Sequence, residues 1–134
     1  KELGMIRCVY LFTDDSGQSD FEEGYLQLDN TAGNDVSSLM AMARSVSFRE
    51  TSSGGSFDWH NAPTIQYVVT LKGTLEFETH TDKRFVLHPG DVLLAEDITG
   101  GGHRWHLIDN EPWLRAYIAL DGDAEASFVA NSTL

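Results

Sequence analysis

The chain has a single cysteine, Cys8, so it cannot close an internal disulfide. The apolar company of Cys8 across residues 5–12 marks it as a packing residue rather than a reactive thiol. Cysteine usage therefore asks for no oxidising compartment. Positive charge is scarce as well. Nine Lys and Arg stand against 21 Asp and Glu, a formal net charge of −12, and the resulting mean field repels phosphate backbones. Nucleic acid is thereby removed from the expected partners. The acids are scattered rather than massed, which is the pattern of a solvated surface. Long apolar runs are missing too: stretches such as Val92–Ala95 fall far short of a membrane span, and no charged segment leads into an apolar one at the start. The expectation is a cytoplasmic protein with no membrane partner, with Met5 as candidate native start and residues 1–4 as an added leader.

Sustained 3.6-residue periodicity is also absent, and what remains is an all-β pattern of short runs between turn clusters. The runs are residues 6–12, 24–28, 39–48, 65–71, 74–79, 84–87, 91–95, 104–108 and 113–120. The intervening segments, such as "TDDSGQSD", "DNTAGND", "ETSSGGS" and "DITGGG", carry Gly for positive φ and Asn or Asp for local backbone bonding. Turn signals every eight to twelve residues or so suit a sandwich or barrel. The 134 residues suit one domain, spanning 1–134, whose closing segment from Asp121 is either a short helix or a frayed end.

Alternation assigns faces. In "LEFET", Leu75 and Phe77 point one way and Glu76 and Glu78 the other. In "LMAMARSVSF" the row Met40, Met42, Arg44, Val46 and Phe48 is interrupted by one arginine, which either snorkels to solvent or binds an anionic ligand. Two stretches concentrate the chemistry: "DWHNAPTIQYVVTLKG" over 58–73 and "HPGDVLLAEDITGGGHRWH" over 88–106. Asp58 and His60, two apart on a strand, share a face; His103 and Trp105 share another, opposite Arg104 and His106. His80 and His88 fall in turns and read as loop residues. Trp59 and Trp105 are candidate walls of an apolar ligand pocket. Glu96 and Asp97 stand in a loop just before His103, and a carboxylate hanging over a pocket mouth there would be a proton-transfer group. Glu96 is the catalytic candidate.

Gln66 and Gly73, followed by "HPGDVLLAEDITGGGH", resemble the two linked motifs of the cupin superfamily, in its small single-domain and mostly uncharacterised form. The resemblance implies a jelly-roll β-barrel of two antiparallel sheets with little helix. It places Gln66 where the family has a glutamate, Gly73 in register, Gly90 on the first glycine of the second motif and His103 on its histidine. One histidine of the family's three-histidine, one-carboxylate metal set is then missing. In one register His60 takes the first histidine slot and Ala62 the second; in the other, Asp58 takes the first and His60 the second. The implied metal set is therefore Asp58, His60, Gln66 and His103, with His60 and His103 expected to face each other across the barrel interior.

Imidazole and carboxylate suit Zn, Fe, Ni, Mn or Cu, a neutral amide suits them poorly, and the residues are equally compatible with no metal. What the resemblance implies is a metal-dependent enzyme acting on a small organic molecule, of oxygenase, isomerase or lyase type. The alternative is a metal-free or metal-poor cupin that binds a small ligand without turnover. A scaffold role is third, since no exposed apolar stripe is evident. Small cupins commonly pair, and the strand at residues 5–12 is the element expected to extend a partner's sheet in a homodimer.

Overall fold

The computed structural model describes residues 6–122, 124 and 126–131. The candidate start at Met5 and part of the closing segment lie outside the described residues. Thirteen strands and no α-helix occur among those described. They are β1 (Arg7–Thr13), β2 (Ser19–Leu26), β3 (Asn30–Ala32), β4 (Asp35–Ser37), β5 (Ala43–Thr51), β6 (Ser56–His60), β7 (Gln66–Lys72), β8 (Leu75–Thr79), β9 (Arg84–Leu87), β10 (Val92–Ala95), β11 (His103–Leu107), β12 (Trp113–Leu120) and β13 (Phe128–Ala130).

A seven-stranded sheet runs β13-β2-β1-β10-β7-β12-β5 and faces a four-stranded sheet, β6-β11-β8-β9. The architecture is an all-β jelly roll. Its pairings are antiparallel except for β1 with β10, which run parallel. Between the sheets lies a core of alternating residues, Val9, Leu11 and Leu93 from one side and Leu75, Phe77 and Leu87 from the other. Phe77, 1% exposed and stacked on Phe85 at 4.9 Å, is with Trp113 one of its largest fully buried side chains; its truncation to alanine should cost about 3–5 kcal/mol.

The strand Val92–Ala95 is buried at all four positions, so it shows no alternation. Leu93 and Ala95 face the barrel core, while Val92 and Leu94 join Cys8 and Leu120 in a second apolar cluster on the other side of the sheet, with Phe128 packed against it. Burial there pushes the Cys8 thiol up to about 12, so it carries no nucleophile.

Several elements differ from the sequence expectation. The segment "DNTAGND" holds a hairpin, β3 with β4, turning at Gly33 in the left-handed region, rather than a plain turn. Residues 56–60 form β6, the strand expected to carry Asp58 and His60, and residues 128–130 form β13, where a short helix or frayed end is expected. These are short strands whose partners are remote in sequence. β1 is paired on both sides, by β2 and β10, and so offers no edge to a partner. One edge of the large sheet is β5. Its outward row of Met42, Val46 and Phe48 is 70%, 58% and 74% exposed, so an exposed apolar stripe does exist.

Candidate functional site

A cavity of about 460 Å³ opens between the sheets. β5, β7 and β12 form one wall, and β6, β8 and β11 the other. His103, the first residue of β11, stands directly opposite His60, the last of β6, with ring centroids 4.4 Å apart. The two imidazoles are thus neighbours within one sheet rather than partners across the barrel. Gly102 makes this approach possible: its φ is +79°, and a Cβ there would come within 2.5 Å of the His60 carbonyl oxygen. Gln66, buried on β7, reaches the same cavity from the opposite sheet.

Each imidazole has its Nδ1 occupied. His60 Nδ1–H donates to the Asp58 carbonyl oxygen at 2.6 Å, and His103 Nδ1–H donates to Asp97 Oδ2 at 2.6 Å. Both rings therefore keep Nε2 for the cavity. Asp97 is fully buried; its Oδ2 also accepts the Ser19 hydroxyl at 2.6 Å, and among the described residues its Oδ1 has no partner. The loop carrying it is tied to the wall by Ala62 N–H donating to the Asp97 carbonyl at 3.1 Å. Burial lowers the His60 pKa from its ordinary value, with the neighbouring His103 adding to the shift and the Asp58 carbonyl opposing it.

Not every expected residue reaches this cavity. A β-bulge on β6 sets Trp105 opposite Phe57 while His103 stands opposite His60, so two β6 residues face the single Arg104. The extra residue inverts strand parity. Phe57 and His60 turn inward, 4.1 Å apart by ring centroids, while Asp58 turns to an outer groove with Glu78, Arg84 and Arg104. Trp59 is also outside, stacked on His80 at 3.6 Å with Arg104 4.7 Å over its ring. Glu96 faces the outer cluster, where Tyr10 donates to it at 3.3 Å; the buried loop carboxylate beside the pocket is Asp97. Arg44 is exposed at a register shift of β5 and is not among the residues lining the cavity, unlike Ser45, Ser47 and Arg49. Trp105 does line the pocket, its ring 4.7 Å from that of Trp113.

Two basic residues of the cavity wall, Arg49 and Arg115, were not foreseen. Arg115 is visible in "WLRAYIAL" as the one charge in an inward row with Trp113 and Tyr117. Nothing in sequence separated it from the similar interruption at Arg44.

No family model and no curated protein matches the chain. Solved structures do. A cupin superfamily protein from Desulfitobacterium hafniense is 22% identical, with 68% of this chain and 82% of that one covered at a TM-score of 0.46. A Cupin 2 conserved barrel domain protein from Salinispora arenicola is 15% identical over 84% and 82% of the two chains, TM-score 0.49. The cupin domain of Schizosaccharomyces pombe Cnp3 is 14% identical over 87% and 83%, TM-score 0.46. These are what the all-β two-sheet chain is similar to. These likenesses concern fold and carry no activity, metal or ligand with them.

The residues of this pocket do not fit the transition metal that the resemblance implies. Its donors are two imidazoles and the Gln66 amide; Asp58 lies outside, and the bonded oxygen of Asp97 is committed to His103 and Ser19. Among the described residues no group of three or more His, Cys, Asp or Glu is placed to hold an ion.

Proposed function

We propose that the chain binds a small organic molecule in the barrel pocket and moves a proton on it, without a metal, in the manner of an isomerase or lyase. The supporting observation is the buried 2.6 Å bond from His103 Nδ1 to Asp97 beside the cavity. A carboxylate in that position fixes the tautomer and ring orientation, leaves Nε2 as the proton acceptor, and stabilises the imidazolium that forms. Asp97 is then a positioning residue and His103 the catalytic base. His60, kept neutral by its burial, offers a second Nε2 to hold or return the proton.

Solvent exchange tests this. Wild-type protein in D2O should wash deuterium into members of a panel of small carbonyl compounds, and His103→Gln should slow that by about 10²–10⁴-fold. Exchange untouched by His103→Gln would sink the assignment. Elemental analysis should find Zn, Fe, Ni, Mn and Cu well below one per chain; one equivalent, lost in a His60→Ala, His103→Ala double variant, would replace it with a metal-centred reading.

The chain is further proposed to form a homodimer, with β5 in place of β1 as the contact. The support is an exposed nine-residue edge strand bearing Val46 and Phe48. Sedimentation at micromolar concentration giving only a 14.9 kDa species would remove this proposal.

A further inference from the structure

Among the described residues no carboxylate lines the cavity, although acids outnumber bases more than two to one in the chain as a whole. Two guanidiniums do line it. Arg115 on β12 and Arg49 on β5 are direct cross-strand partners on the inward face. Like charges opposite one another destabilise a sheet, and a buried cation without a counter-ion is worse.

Arg115 is 3% exposed, and among the described residues none of its bonds goes to an acid. Its Nε–H donates to the Tyr117 hydroxyl at 3.2 Å, and Nη1–H to Thr51 Oγ1 at 2.7 Å and the Trp113 carbonyl at 3.2 Å. Trp113 stacks under the guanidinium at 3.8 Å. Those contacts hold the planar group in one orientation, and among the described residues Nη2 meets no acceptor. Arg49 lies 4.7 Å over the other inward ring, Tyr117, and among the described residues it forms no ion pair. Burial, with Arg49 adding its repulsion, lowers the Arg115 pKa from its ordinary value. Among the described residues, the groups around the pair supply orientation and none supplies negative charge.

We propose that the pocket takes a small organic anion whose carboxylate or phosphate group is held by Arg115 and Arg49, with its body running past Trp105 toward His60 and His103. A fixed guanidinium fork matches either oxyanion bidentately. The hydroxyls of Ser45, Ser47 and Tyr117 stand on the same wall as further donors. Trp105 lies between the two ends, 5.9 Å from the Arg115 guanidinium and 6.3 Å from the Phe57 ring that contacts His60. The pocket thus has an anion-holding end and an imidazole end, joined by aromatic surface. This inference rests on the reading of the cavity as the ligand site and adds the ligand's class.

The probes are phenylacetate, phenyl phosphate and the neutral phenylacetamide, titrated against Trp fluorescence and by calorimetry. At least one anion should bind about tenfold or more tightly than the amide, and the stronger of the two names the oxyanion. Arg49→Gln and Arg115→Lys should each weaken the anions severalfold while leaving the amide unchanged. Arg104→Gln, outside the pocket, should alter neither. Arg49 is exposed, so its variant keeps the test alive should the Arg115 variant fail to fold.

Equal binding of amide and anions, undiminished anion affinity in both pocket variants, or no anion binding in the millimolar range would each overturn the proposal. Discrimination without any movement of the His60 and His103 imidazole NMR signals would leave it standing and sink the proton-transfer reading instead.

Discussion

Arg104 and Arg115 both lie over a tryptophan, Trp59 at 4.7 Å and Trp113 at 3.8 Å, yet they sit in opposite electrostatic settings. Arg104, on the outer face of the small sheet, is exposed and donates to Glu78 at 2.9 Å, an acid that raises its pKa. Arg115, on the inner face of the large sheet, is buried, its partners among the described residues are hydroxyl, carbonyl and aromatic, and burial lowers its pKa. Water and a neighbouring acid settle a charge outside. Inside, no acid is at hand among the described residues, so Arg115 is a charge whose partner must arrive from solution.

The largest contrast should come from the acids on the two sides. Asp97→Ala strips the shared acceptor from buried His103 and Ser19 and should lower stability by about 2–4 kcal/mol in urea denaturation. Glu78→Ala, on the wet side, should lower the urea midpoint far less, as an exposed ion pair does. If both behave alike, the distinction between the faces is wrong.

Next is ligand affinity. Arg115→Met should lose most oxyanion binding, about 10-fold or more from the loss of charge-assisted bonds, whereas Arg104→Met should lose none; calorimetry with phenylacetate reads both.

Titration separates the faces by pH. His60 has a folded pKa below its ordinary 6.5, so the unfolded chain binds its proton first; the stability it contributes is full above that value and is lost as pH falls below it. Glu78, held low chiefly by the Arg104 hydrogen bond, contributes stability that is full above its ordinary 4.5 and is lost only below that. Melting temperature against pH should therefore show an interior step first and an exterior step later on acidification, and His60→Gln should erase the first alone.

The smallest effect tests the repulsion itself. Arg49→Gln should raise ligand-free stability by about 0.5 kcal/mol while weakening anion binding, a change seen by melting with and without phenyl phosphate.

Much of the framework was legible because it is local. Alternation in "LEFET" and in "HRWHL" assigned inward and outward residues as the structure has them, and the turn chemistry marked most strand ends. The site was less legible. Strand parity set Asp58 beside His60, but a bulge on β6 inserted the residue that reverses it, and a bulge belongs to the pairing of two strands. Glu96 and Asp97 are adjacent acids whose roles divide only when one turns to Tyr10 and the other to His103.

What the sequence determined by itself was the class of fold, the outward solvation of its acids and the presence of two histidine stretches, since composition and two-residue periodicity act along the chain. The tertiary structure decided which arginine matters. Arg44 and Arg115 each interrupt an apolar row, and nothing within either strand tells them apart. One row lies along an exposed sheet edge and the other faces a closed barrel, and burial, the quantity that turns a charge into a ligand requirement, exists only once the two sheets have met.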